Sequence, residues 1–153
     1  DSIVGAFAVI HCVLLLLLTF GLWCQLEPAD SEVWGALVLL PVFSRCLSAF
    51  GALSLPNARG SGMLASVTGG EQRRPGRWGL LLGSLLCAAA LAALEPWFLL
   101  AAGAGYLSFA CYVRTAKREF GGTTGDLSGW FLQLCELSSL AGLVLAQRLE
   151  VLL

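Results

Sequence analysis

The sequence predicts an all-α protein: a polytopic membrane bundle of about five transmembrane helices, forming a single membrane domain over residues 1–153. Three observations predict it. Hydrophobic residues make up 58% of the chain and charged residues 12%, with a mean hydropathy of +0.81, whereas soluble domains carry about 25% charged residues. The apolar residues gather into blocks close to the roughly 20 residues that a spanning helix needs. The charge, finally, is concentrated in the connections between the blocks. A net charge of −1 gives no electrostatic footing for a nucleic-acid partner. The lipid bilayer is the expected partner.

The first block, Ile3–Leu26, is almost wholly apolar, and His11 is its only strongly polar side chain. That imidazole either relays protons or bonds to a neighbouring helix. The chain opens on Asp1, an acid directly before an apolar segment, without the basic start and small-residue cleavage site of a signal peptide. It is therefore expected to be the C-terminal portion of a longer protein. The connection Glu27–Glu32 holds three acids, Glu27, Asp30 and Glu32, and no Lys or Arg.

The second block, Val33–Leu55, is interrupted by Pro41 and carries Ser44 and Arg45 near its middle. Proline frees a backbone carbonyl one turn earlier and bends a helix. An arginine at membrane depth is costly, so it should face the bundle interior and meet an anion. Either a structural pair with Glu136 or a phosphate meets that need. The long polar connection Asn57–Arg77 contains Arg59, Arg73, Arg74 and Arg77 but no P-loop pattern. Arg59, close to the end of the second block, is a candidate phosphate ligand.

Blocks three and four, Trp78–Leu94 and Pro96–Val113, meet at a tight Glu95-Pro96 turn, which makes them antiparallel neighbours. Gly83, Cys87 and Ala88, then Ala101, Gly103, Ala104 and Gly105, offer small surfaces for close helix approach. The fifth block, Leu127–Leu145, is followed by a short tail, Gln147–Leu153. Six cysteines (Cys12, Cys24, Cys46, Cys87, Cys111, Cys135) lie within the apolar stretches or at their edges with no CxxC pair, and read as small packing residues. Of the nine basic residues, all but Arg45 and Arg148 fall in the second and fourth connections. Positive-inside counting puts those connections in the cytoplasm, with Asp1 inside and Leu153 outside.

Chemistry concentrates in Arg114–Glu136. A basic cluster (Arg114, Lys117, Arg118) leads into a turn containing Gly121, Gly122, Thr123, Thr124 and Gly125, then Asp126. Asp126, Gly129, Gln133 and Glu136 share one face at helical spacing. Glycines let backbone N–H groups approach phosphate oxygens, and the start of the fifth helix favours anionic charge. The alternative is that Asp126 only caps that helix.

The segment GGTTGDLSGWFLQLCE resembles the GGxTGDxLGAxxExxE signature of the cobalamin-5′-phosphate synthases, also called adenosylcobinamide-GDP ribazoletransferases. DSIVGAFAVIHCVLLLLL and PVFSRCLSAFGALSLPNARGSG are similar to two further blocks of that family, in the same order. The resemblance implies a multi-pass enzyme of the bacterial inner (cytoplasmic) membrane. That enzyme joins α-ribazole, or its 5′-phosphate, to adenosylcobinamide-GDP and releases GMP with Mg²⁺; self-association is left open. Carried over by position, Asp126 and Glu136 become catalytic and metal-binding candidates. Gly121, Gly122, Thr124 and Gly125 shape a substrate-binding turn, and Arg45 and Arg59 become phosphate-side cations. Gln133 departs from the family's usual glutamate, Ile3 from an arginine and Ser128 from a leucine. The family's acidic EDGLADxxDG segment, expected to hold much of the Mg²⁺, is absent from these residues, so the chain is expected to be inactive alone. The competing readings are a small transporter or a structural membrane subunit built on a buried Arg45–Glu136 pair.

Overall fold

Backbone N–H and C=O groups cannot be left unpaired in hydrocarbon, so apolar blocks of this length become helices. A computed structural model of the chain describes residues 5–27, 31–58 and 73–152. Five helices are present in it: α1 (Ala6–Trp23), α2 (Ser31–Ser54), α3 (Arg73–Leu94), α4 (Leu99–Glu119) and α5 (Gly125–Leu152). All five contain stretches long and apolar enough to cross a membrane.

Three boundaries differ from the sequence reading by five residues or more, each for a physical reason. The fourth helix does not stop at Val113 but continues to Glu119. Arg114, Lys117 and Arg118 therefore form its last turns, where cations favour the helix dipole. The fifth does not fray into a tail after Leu145. It runs on to Leu152, because Gln147 Nε2 donates to the Glu27 carbonyl at 3.0 Å and Arg148 donates to the Glu27 carboxylate at 3.0 Å. The third begins at Arg73 rather than Trp78, and Pro75 is tolerated there because it lies in the first turn. The Glu95-Pro96 turn is tight, as expected. Glu95 is extended, and one 3₁₀ turn, Pro96–Phe98, leads into α4.

The helices pack as two close pairs, α4 with α5 and α2 with α3, joined mainly by α2 against α5. Phe43, Leu47, Leu91, Phe98, Tyr112, Phe131 and Leu143 fill the space between them. Glycine decides how closely the pairs approach. A Cβ on Gly105 would run into the Phe43 ring, and one on Gly142 would lie 2.8 Å from the Leu100 carbonyl oxygen and Ala101 Cα. Gly105 is one of the expected small surfaces. Gly103 is not, since nothing lies within 4 Å of its position, and Gly142 takes that role from the facing helix. The six cysteines are free thiols; Cys87 and Cys135 are buried, as a packing role requires, whereas Cys12, Cys24 and Cys111 are exposed.

Helix α1 stands apart. None of its residues is buried, and its main helix contact is α5. Phe7, Leu16, Leu17 and Phe20 are among its outward side chains, a surface suited to lipid.

Candidate functional site

The site begins where α4 ends. Gly121 adopts φ +67, the left-handed conformation that closes many helices and that glycine adopts without strain. The chain turns back, and the Gly122 N–H bonds the Ala116 carbonyl at 2.9 Å. The next residue joins the end of α2: Thr123 N–H donates to the Pro56 carbonyl at 2.8 Å, and Ala58 N–H donates to the Thr123 carbonyl at 3.0 Å. This parallel bridge between Asn57 and Thr123 leaves no room for a side chain on Gly122, whose Cβ would strike the Pro56 carbonyl oxygen. Of the turn glycines, Gly121 and Gly122 are required by shape. Gly125 has open space where its Cβ would be.

Side chains complete the lock. Thr123 is fully buried. Its hydroxyl shares hydrogen bonds with Tyr112 at 2.6 Å and Ser128 at 3.2 Å, and the Tyr112 ring stacks on Phe131 with centroids 4.8 Å apart. Sequence reasoning did not select Thr123 as a site residue, because its partners come from three different helices or their ends. Thr124 has another task. Its Oγ1 accepts the Leu127 N–H at 3.2 Å and its carbonyl accepts the Ser128 N–H at 3.0 Å, which makes it the N-cap of α5. The cap considered for Asp126 thus belongs to Thr124. Asp126 sits in the first helical turn, exposed. It lines an open depression of about 380 Å³ with Ala58, Phe120, Thr124, Leu127 and Trp130. Arg59 follows Ala58 directly in the chain and lies outside the described residues.

The second polar cluster is deeper. Arg45 Nη1 donates to Glu136 Oε1 at 2.7 Å and to the Pro41 carbonyl at 3.0 Å, and Ser44 Oγ donates to Glu136 Oε1 at 3.1 Å. The expected Arg45–Glu136 pair is therefore present. It is not enclosed by the bundle, however: 62% of the Arg45 side chain and 42% of Glu136 are accessible. The pair lies at an open side of α2 and α5. Between α1, α2 and α5 is a cavity of about 540 Å³, with Gln133 and Glu136 in its wall.

Asp126 and Glu136 do share one face of α5, as the spacing predicts, but not one site. Ten residues of helix separate them by about 15 Å, far beyond the reach of one magnesium ion with ligands at about 2.1 Å. Among the described residues there is no group of three or more His, Cys, Asp or Glu that could hold a metal. Asp126 fits Mg²⁺ as one carboxylate beside substrate phosphates, the usual protein share of such a site. Glu136 is committed to Arg45 and Ser44.

Five apolar helices with a backbone-pinned glycine turn, and an exposed carboxylate at its end, define a multi-pass membrane protein with a polar site at one end of the bundle. The chain belongs to the cobalamin-5-phosphate synthase family, whose model matches residues 1–144. It is 35% identical over 142 residues to an adenosylcobinamide-GDP ribazoletransferase of Pseudomonas entomophila, covering 92% of this chain and 56% of that protein. It is 36% identical over 148 residues to the protein of that name from Desulfitobacterium hafniense, covering 93% and 56%. The corresponding Lachnoclostridium phytofermentans protein is 30% identical over 145 residues, covering 94% and 54%. The chain thus spans a little over half the length of these relatives. No solved structure matches it.

Proposed function

We propose that this chain forms the membrane part of an adenosylcobinamide-GDP ribazoletransferase of the bacterial inner membrane, acting in nucleotide-loop assembly of cobalamin. The observation that carries this reading is the family match across residues 1–144. A ribose hydroxyl of α-ribazole, or of its 5′-phosphate, attacks the pyrophosphate phosphorus nearer the cobinamide. A new P–O bond forms, the bridging P–O bond breaks, and GMP leaves. The products are adenosylcobalamin or its 5′-phosphate.

Such a transfer needs a placed nucleophile, a proton acceptor and relief of phosphate charge. Asp126 is the exposed carboxylate of the pinned turn and serves as the proton acceptor or as a ligand to Mg²⁺. The ion, when bound, neutralises pyrophosphate charge. The bridge to Pro56 and Ala58 holds Asp126 still relative to α2, so its position costs little reorganisation. Arg59, one residue beyond that bridge, is the phosphate-side cation of this reading. Arg45 is occupied by Glu136 and supports the bundle.

The test is a graft. This chain replaces the matched 142 residues of the Pseudomonas entomophila protein, and GMP release is measured in membranes with adenosylcobinamide-GDP, α-ribazole and Mg²⁺. Release well above control membranes is expected. A graft that inserts at normal levels yet releases no GMP overturns the reading.

A further inference from the structure

The cavity between α1, α2 and α5 plays no part in the chemistry above. Its volume of about 540 Å³ falls within the roughly 300–1,000 Å³ of small-molecule sites. Its walls are mainly apolar, but His11 and Thr19 reach it from α1, and Gln133 and Glu136 from α5. Helices α1 and α5 run parallel, pinned where Glu27 meets Gln147 and Arg148. Equal rise along both then sets His11 within one turn of the level of Gln133. Leu37 and Pro41 also line the cavity, and Pro41 has no N–H to give to the Leu37 carbonyl. An acyl chain would leave this imidazole, amide and hydroxyl without partners, at a cost. An aromatic body carrying a few hydrogen-bonding groups would satisfy them, since His11 and Gln133 can donate to a ring nitrogen.

Position along α5 narrows the ligand further. Gln133 lies on the same face as Asp126, seven residues or about 10 Å along the axis, a span comparable to a nucleoside from base to sugar. We infer that this cavity is a nucleoside subsite that takes the benzimidazole ring of α-ribazole, with the ribose directed along α5 towards Asp126. The inference rests on the transferase reading for the identity of the nucleoside. Glu136, which lines the cavity, is then covered by bound ligand on that side, which accounts for a carboxylate left open at membrane depth.

Binding is measured without catalysis. The chain is reconstituted in nanodiscs and titrated with α-ribazole, following tryptophan emission, since Trp23 lines the cavity. Leu137→Phe occupies the space, and Gln133→Leu removes the amide at similar size. Saturable quenching is expected in the unaltered chain. Each variant should weaken binding at least tenfold, while Gly103→Ala, at a position on α4 with open space around it, changes it less than twofold. Absence of saturable binding overturns the subsite, and so does an unchanged Kd in both folded variants. In the graft, GMP release with an unaltered KM for α-ribazole in both variants sinks the subsite and leaves the transfer standing. Binding that responds as expected, in a graft that releases no GMP, does the reverse.

Discussion

Gly122 and Thr123 show how much of the site depends on single atoms. The Gly122 hydrogen stands where any side chain would strike the Pro56 carbonyl, a backbone group held by the same bridge. Gly122→Ala must therefore break the bridge or displace α2, and should cost about 1–3 kcal/mol, as overpacking does. Gly125→Ala, with open space around it, should change stability by less than 1 kcal/mol; thermal unfolding in detergent compares the two. Asp126→Asn keeps shape and loses charge. GMP release by the graft should fall at least a hundredfold, about 2.7 kcal/mol of transition-state stabilisation, with helix content unchanged. Full activity in that variant would remove the carboxylate from the mechanism.

Between elements, contact distance and charge pairing decide the arrangement. A Cβ on Gly142 would lie 2.8 Å from backbone atoms of α4, and backbone cannot rotate aside. Gly142→Leu should force α4 and α5 apart and lower the melting temperature sharply, whereas Gly103→Leu, facing open space, should scarcely move it. Equal effects would refute the packing described. The Arg45–Glu136 pair joins α2 to α5. Removing the arginine leaves a carboxylate at membrane depth that keeps the Ser44 hydrogen bond but loses its counter-charge, and an uncompensated charge is the costly state there. Arg45→Met should therefore destabilise more than the double variant Arg45→Met/Glu136→Leu. Additive losses in a double-mutant cycle would show that the pair contributes nothing.

Among the described residues, α2 to α5 form one packed unit with α1 attached along one side. Parallel α1 and α5, joined where Glu27 meets Gln147 and Arg148, put the glycine turn and the start of α1 at one end. The Glu27–Arg148 ion pair, 3.0 Å long, is at the other. With the native cysteines replaced by alanine, cysteines introduced at Arg74 and Lys117 should label from the same side of the membrane, and one at Glu27 from the opposite side. Opposite labelling of positions 74 and 117 would overturn the topology.

Residue order alone carries the five helices of the described residues, the charge bias between connections and the glycine turn before Asp126. Hydrocarbon and water act on each segment separately, so apolar length and basic clusters carry that information locally. The Arg45–Glu136 pair was also legible, since an arginine in an apolar block needs an anion and few were available. Long-range packing settles the rest: Thr123 bridges to Pro56 and Ala58, Thr124 rather than Asp126 caps α5, and Asp126 and Glu136 line different cavities. It also opened the space between α1, α2 and α5. These features arise where residues distant in the chain meet at ångström tolerance, and close approach is set by which small side chains face each other across helices.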